Sequence, residues 1–311
     1  MPKVSHRGRA HGSRATACGE CVITATDFPQ TYQVEIGQHI AAVERDGGLL
    51  ADAAQAAGLT ASVPACPGWQ VRDLVRHQAY VHGWAARHVA EQAAEITGTA
   101  GEADILSGGP PDADLIASYR EGVAALVRTL RAADPDVACA TFLPAPSPLA
   151  FWARRQAHET AIHRFDAQAA GRAAGGAADP LTAFAPAFAA DGIDELITGF
   201  AARRKRTGPG LSLLVRATDT ADAWHYEWPA DGQVRARRTS LESTDAVRPG
   251  TGACGTGDGG LPASDCELAG PASGGYLFLW NRCTAAEAGV EITGDPAILG
   301  TWNSGIRVRW S

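Results

Sequence analysis

The peptide Phe151-Trp-Ala-Arg-Arg-Gln-Ala-His-Glu-Thr-Ala-Ile-His-Arg-Phe-Asp166 decides how this chain is read. It lies within a predicted helix over about Leu149 to Gly171 and carries Glu159 and His163 four residues apart. At that spacing the two side chains stand one turn apart on the same face. A carboxylate and an imidazole so placed can bind a single metal ion. His158 projects roughly 100° away from Glu159 and makes a poorer third ligand. The peptide is not the H-E-x-x-H of a zinc protease, because the second His comes one residue too late after His158. An exposed polar pair is the plain alternative, and the peptide alone leaves both readings open.

A missing ligand would have to come from another helix. Around this peptide the sequence predicts helices over Thr31–Ala57, Val71–Thr97, Ala113–Ala133 and Ala185–Arg204. Each shows apolar residues at helical spacing, as in Leu115, Ile116, Tyr119, Val123, Leu126, Val127 and Leu130. On the second helix His77 shares the face of Val71, Leu74 and Val81, whereas His82 and His88 fall at other angles. One His from one bundle helix and a Glu/His pair from another leave an open coordination position, the pattern of a catalytic zinc and not a structural one.

After about residue 206 the pattern changes. Leu211–Ala217 and Ala223–Trp228 alternate like strands. Residues 245–275 read as a Gly/Pro-rich loop, Tyr276–Arg282 as a short helix or strand, and Asp295–Gly300 as a helical turn. Val290–Thr293 and Ile306–Trp310 read as strands. The expected organisation is a disordered tail over 1–30, a helical bundle over 31–206 and a small mixed α/β domain over 207–311, an α+β fold overall.

The chain has 311 residues, 45% of them hydrophobic, enough for a substantial core. Its net charge of −7 argues against a nucleic-acid binder that works by neutralising phosphates. No apolar stretch approaches the length of a membrane span, so no membrane association is expected. Seven irregularly spaced Cys and the lack of an apolar leader suggest a cytoplasmic protein with reduced thiols, as a monomer or homodimer. The C-x-x-C of Cys18 and Cys21 lacks the second pair a zinc site needs. No G-x-G-x-x-G or phosphate-binding loop calls for a nucleotide.

Other residues carry two readings each. Tyr80 and Trp84 either line a pocket or pack in the bundle. Asp166 either orients His163 or pairs with an Arg such as Arg155. Cys66 is a reactive thiol or a buried structural one. Asp191, Asp194 and Glu195 are expected to cap and solvate a helix start.

The peptide Val63-Pro-Ala-Cys-Pro-Gly-Trp-Gln-Val-Arg-Asp-Leu-Val-Arg-His77 together with Arg155–Asp166 resembles the mycothiol-dependent maleylpyruvate isomerase family, an actinobacterial branch of the DinB-like metalloproteins. The resemblance continues in Asp191-Gly-Ile-Asp-Glu195, Tyr276-Leu-Phe-Leu-Trp-Asn-Arg282 and Gly294–Trp302. It implies a DinB-like four-helix bundle binding Zn²⁺, or another divalent metal, through His77, Glu159 and His163, and a small α+β domain whose Arg closes over the site. Arg282 is the nearest match to that catalytic Arg. The implied partners are a small-molecule substrate and mycothiol as a low-molecular-weight thiol cosubstrate. The thiol would serve isomerisation or S-transfer. A hydrolase using metal-bound water, or a binding module without catalysis, are the competing readings.

Overall fold

The computed structural model describes residues 34–175, 181–203, 210–228, 230, 232, 234–240 and 263–306. Four long helices follow from the four apolar stripes: α1 (Ile36–Ala57), α2 (Val71–Ala90), α4 (Asp112–Ala132) and α5 (Pro148–Ala173). The stripe of α4 is buried from Leu115 to Leu130. Helix α5 differs in being buried on nearly all sides between Leu149 and Ala167, which marks it as the central helix. Pro148 at its first position and Ser147, whose side chain accepts from the Ala150 amide at 3.2 Å, fix its start. Trp84 and Trp152 meet edge to face at 5.1 Å in the bundle core. Trp84 therefore packs, while the Tyr80 hydroxyl donates to the Gly98 carbonyl.

Several expectations are corrected. The second helix ends at Ala90 and not near Thr97, because Gln92 takes a positive φ and the Ala93 amide turns back to the His88 carbonyl. The stretch between it and the next long helix contains a short helix, α3 (Glu102–Ser107). The fifth helix divides into α6 (Pro186–Asp194) and a π-helical segment over Glu195–Ala201. The wider turn rotates the residues beyond Asp194 out of the phase an α-helix would give them.

The C-terminal part holds a five-stranded sheet: β1 (Leu211–Ala217), β2 (Asp222–Trp228), β3 (Arg235–Ser240), β4 (Cys266–Gly270) and β5 (Glu291–Gly294). The order is β3-β2-β1-β4-β5, antiparallel except for the parallel β1/β4 pair. Strand β4 and the start of α7 (Ala272–Leu279) occupy the end of the stretch expected as loop; residues 245–262 of it lie outside the described residues. Two further helices come after it, α8 (Ala285–Ala288) and α9 (Ala297–Gly305), the latter longer than the single turn expected. The tail over 1–30, the boundary near 207 and the last expected strand beyond Ile306 lie outside the described residues. No helix among the described residues is long and apolar enough to cross a membrane.

Sheet and bundle belong to one compact unit, Thr31–Ser311. Helix α7 is the joint. Tyr276 packs against His158 of α5 and Phe188 of α6 at 5.6 and 6.4 Å, and Trp280 donates to the Gly192 carbonyl at 3.3 Å.

Candidate metal centre

The 62–70 segment places the first ligand candidate. A bridge between Ser62 and Gln70 closes a loop in which Gly68, at φ +89, takes a turn that a side chain would strain. Gln70 and Asp73 then form a capping box, and α2 begins. Two turns on, His77 faces α5. Its Nε2 lies 3.1 Å from Glu159 Oε1, and His163 Nε2 lies 3.4 Å from the same oxygen. Ligand atoms about 2.0 Å from a zinc ion at tetrahedral angles are about 3.3 Å from one another, so this spacing fits one ion held by all three. The three residues are buried.

Neighbouring groups fix each of them. Glu159 Oε2 accepts from Arg155 Nη2 at 2.9 Å, which leaves Oε1 directed at the two imidazoles. Gln78 donates to the Glu159 carbonyl at 3.0 Å. His163 Nδ1 lies 2.8 Å from Asp166 Oδ2, so the carboxylate holds a proton on Nδ1 and Nε2 is the nitrogen that a metal would take in place of its proton. Trp69 walls the site, its rings 5.1 Å from His77 and stacked at 6.4 Å on His163. Its indole donates to Glu102 of α3 at 2.8 Å.

The charges follow from this arrangement. Burial lowers the pKa of His77, so it is neutral and able to coordinate. Burial acts to raise Glu159, but hydrogen bonds from both imidazoles and the Arg155 charge hold it well below the usual range. Burial also disfavours charged His163, yet Asp166 and Glu159 raise it. Asp166 is pulled down to about 2 against its own burial by Arg282 and His163. Burial drives the Cys66 thiol up to about 12, with Asp166 adding to the rise. Cys66 is therefore protonated at neutral pH and is no nucleophile, although its Sγ lies 3.9 Å from Asp166.

Arg282 reaches the site by a helix-ending motif. Asn281 adopts the left-handed conformation at φ +61, its amide bonds the Phe278 carbonyl, and the Arg282 amide bonds the Leu277 carbonyl. This Schellman arrangement turns the chain back over the bundle. Asp166 then receives Arg282 through two bonds, Nε at 3.1 Å and Nη2 at 2.8 Å, while Nη1 donates to the Trp280 carbonyl at 2.8 Å. Both readings of Asp166 hold at once, with Arg282 and not Arg155 as its cation.

The expectation for Asp191, Asp194 and Glu195 is overturned. Helix α6 begins five residues earlier, at Pro186, so Asp191 and Asp194 fall on its later turns and Glu195 opens the π-helical segment, all against the cations of α5. Asp191 Oδ2 accepts from His39 at 2.9 Å, His158 at 2.8 Å and Arg154 at 3.0 Å. Asp194 pairs with Arg154, and Glu195 with the buried Arg155, whose guanidinium also lies over Phe200 and Trp280. His39 was not expected to matter. The available signal was its place with Val43, Asp46 and Leu50 on the apolar stripe of α1.

Among the described residues three groups have ligand spacing: His77/Glu159/His163, His39/His158/Asp191 and Cys66/His163/Asp166. In the second, Arg154 already supplies the positive charge that an ion would bring. In the third, the thiol is protonated and the carboxylate is bound by Arg282. Only the first has all three of its residues on the wall of a cavity of about 610 Å³, which Arg282 also lines.

Two family models match the chain. The mycothiol maleylpyruvate isomerase N-terminal domain covers residues 40–168 and the MDMPI C-terminal domain covers 187–301. The chain belongs to the mycothiol maleylpyruvate isomerase family. Similar solved structures are the mycothiol-dependent maleylpyruvate isomerase, at 13% identity with a TM-score of 0.51, and a histidine-to-alanine mutant of it, at 13% with 0.50. Each covers 82% of this chain and 93% of the other, a likeness of fold. No curated protein sequence matches. As a family member the chain has an α+β fold, the bundle carrying the three ligand candidates and the smaller domain supplying Arg282.

Proposed function

We propose that this protein is a divalent-metal-dependent enzyme that uses a low-molecular-weight thiol of the mycothiol type to isomerise, or to transfer sulfur to, a small unsaturated substrate. The observation that carries the reading is the convergence of His77 Nε2, Glu159 Oε1 and His163 Nε2 at one edge of a cavity walled by Arg282. When bound there, a zinc ion would make a coordinating thiol give up its proton at neutral pH. His77 and His163 would serve as neutral ligands and Glu159 would offer Oε1, its other oxygen being held by Arg155. Asp166 keeps the proton of His163 on Nδ1. Arg282 presents its guanidinium to a substrate carboxylate and steadies the negative charge that grows as a thiolate adds to the conjugated double bond. Rotation about the resulting single bond and expulsion of the thiol give the other isomer; retention of the thiol, with a proton taken from solvent at the adjacent carbon, gives the transfer product. The soluble partners are the thiol and the small-molecule substrate, and the reaction suits the cytoplasm.

The test is metal content by plasma mass spectrometry on chelator-rinsed wild type, His77→Ala and His163→Ala, with far-UV circular dichroism alongside. The expected result is about one zinc per wild-type chain, lost in both variants while helical content is kept. Full metal in both variants overturns the ligand assignment. Turnover that is unchanged when the thiol is withheld moves the reading to a hydrolase.

A further inference from the structure

Arg155 is a buried cation on the ligand helix itself, and three parts of the chain build a seat for it. Its Nη2 donates to Glu159 Oε2 at 2.9 Å and its Nη1 to Glu195 Oε2. The guanidinium carbon lies 5.2 Å from the centre of the Phe200 ring and 5.3 Å from that of Trp280. Only 1% of the residue is exposed. Glu195 and Phe200 are five positions apart, a separation that on an α-helix would turn them about 140° from one another. The i→i+5 turn of the π-helical segment, seen in the bond from the Ala202 amide to the Ile197 carbonyl at 3.2 Å, brings both to the same cation. A buried Arg between two carboxylates gains little net stability over an apolar filling, and π-helical turns occur frequently at functional sites. Stability alone does not account for this seat.

We infer that Arg155 is a positioning residue that decides which metal the site prefers, by confining Glu159 to ligation through Oε1. The inference deepens the metal-dependent reading and rests on it. Oε1 is the oxygen that both imidazole Nε2 atoms approach, at 3.1 and 3.4 Å. An ion drawing in both oxygens of Glu159 would sit closer to the guanidinium on Oε2, and the repulsion between the two positive charges grows as they approach. Glu195 holds the other terminal nitrogen, so Arg155 cannot swing aside to let Oε2 turn inward. One-oxygen ligation suits zinc, which favours tetrahedral sites. Mn²⁺ favours octahedral, oxygen-rich sites and gains most from a carboxylate that offers both oxygens.

The experiment is competition of Zn²⁺ and Mn²⁺ against chromophoric chelators on the full chain, for wild type, Arg155→Met and Arg155→Lys, with visible spectra of each protein loaded with Co²⁺. The readout is the ratio of the Mn²⁺ to the Zn²⁺ dissociation constant. Loss of the Arg155 charge acts on both dications alike, and so does a loosened fold, so neither moves the ratio. Arg155→Met should lower it by at least about tenfold, the effect that groups supporting a ligand exert on metal affinity. Co²⁺ bands are intense in four-coordinate sites and weak in more highly coordinated ones. They should be intense in the wild type and weakened in Arg155→Met, with cobalt still bound. If Arg155→Met fails to fold, Arg155→Lys carries the test: it keeps a cation but not the fork that spans Glu159 and Glu195, and should lower the ratio about threefold. A ratio within about twofold of wild type in the folded variant, or weak cobalt bands in the wild type, overturns the inference. The two proposals fail distinguishably. Wild type that takes up no stoichiometric zinc removes the metal-dependent reading and this inference with it. Zinc that is lost in His77→Ala, with a ratio unmoved by the Arg155 variants, removes this inference alone.

Discussion

Replacing Asp166 by Asn tests whether one carboxylate aligns both the metal ligand and the substrate arginine. In the wild type Asp166 can only accept: from His163 Nδ1 at 2.8 Å, and from Arg282 at 3.1 and 2.8 Å. An amide of the same shape must choose. If its NH₂ faces His163, it donates to Nδ1 and moves the imidazole proton to Nε2, the atom 3.4 Å from Glu159 that has to coordinate. If it turns its oxygen to His163, that oxygen still accepts from Arg282 Nη2, but its NH₂ meets the Arg282 Nε–H head on. Either way a buried donor loses its partner, at about 1–3 kcal/mol. Loss of such a supporting carboxylate usually lowers metal affinity 10- to 100-fold, or about 1.4–2.7 kcal/mol. Zinc affinity by competition with a chromophoric chelator at neutral pH should fall within that window. Thermal unfolding of the zinc-free variant separately reads the cost of the unsettled Arg282. A zinc affinity within about threefold of wild type, with the fold intact, would refute the argument that Asp166 sets the His163 tautomer.

Two further perturbations probe the network around the site. Burial raises the Glu195 carboxyl from 4.5 to about 7, with Asp191 and Glu159 assisting and Arg155 and Arg154 opposing. A carboxyl raised on folding binds its proton more tightly in the native state. Its contribution is therefore complete below about pH 4.5 and is lost as pH rises through 7, a change of about 3 kcal/mol. In urea unfolding at pH 5 and pH 8, the stability of wild type relative to Glu195→Gln should drop by about that amount; a constant difference would mean Glu195 stays charged beside Arg155. Gly192→Ala would put a methyl group 2.8 Å from Tyr276 Cδ2 and 2.9 Å from His158 Cε1. It should destabilise by about 1–3 kcal/mol, and an unchanged melting temperature would show that α7 can slide on α6.

The features legible in the sequence were those that repeat along one helix. The stripe from Leu115 to Leu130 gave α4, and the four-residue spacing of Glu159 and His163 gave their shared face. His77 could be added because its helix had a clear inner side. The features that escaped detection depend on distant parts of the chain or on broken periodicity. Asp191 meets His39 across 152 residues, and no local pattern announces such a pair. Helix α3 is six residues long, too short to show a stripe, yet it brings Glu102 to the cavity. The π-helical segment shifts the phase after Asp194, so extrapolating a 3.6-residue period from α6 misplaces the side chains of Glu195–Ala201. Arg282 came from resemblance alone, although Asn281 before it carries a local signal, since Asn tolerates the left-handed turn that ends α7.

The step from His158 to Glu159 explains why the two halves of the protein meet where they do. Adjacent positions on a helix point about 100° apart, so α5 turns Glu159 and His163 towards α2 and His158 towards α1, α6 and α7. His158 Nε2 donates to Asp191 at 2.8 Å, which leaves Nδ1 to accept from the Tyr276 hydroxyl at 3.1 Å. Burial lowers the His158 pKa to about 3, so this is a neutral relay of hydrogen bonds and not a charged one. It pins the middle of α7 to the back of the helix that carries the ligand candidates. Arg282 lies six residues after Tyr276. The end of α7 is fixed by the Schellman turn, and the guanidinium by Asp166 three residues beyond His163. Arg282 is thus held at both ends by α5 before any substrate arrives. The family resemblance suggested an arginine that closes over the site. Here it is already seated, so less ordering remains to be done when a carboxylate binds.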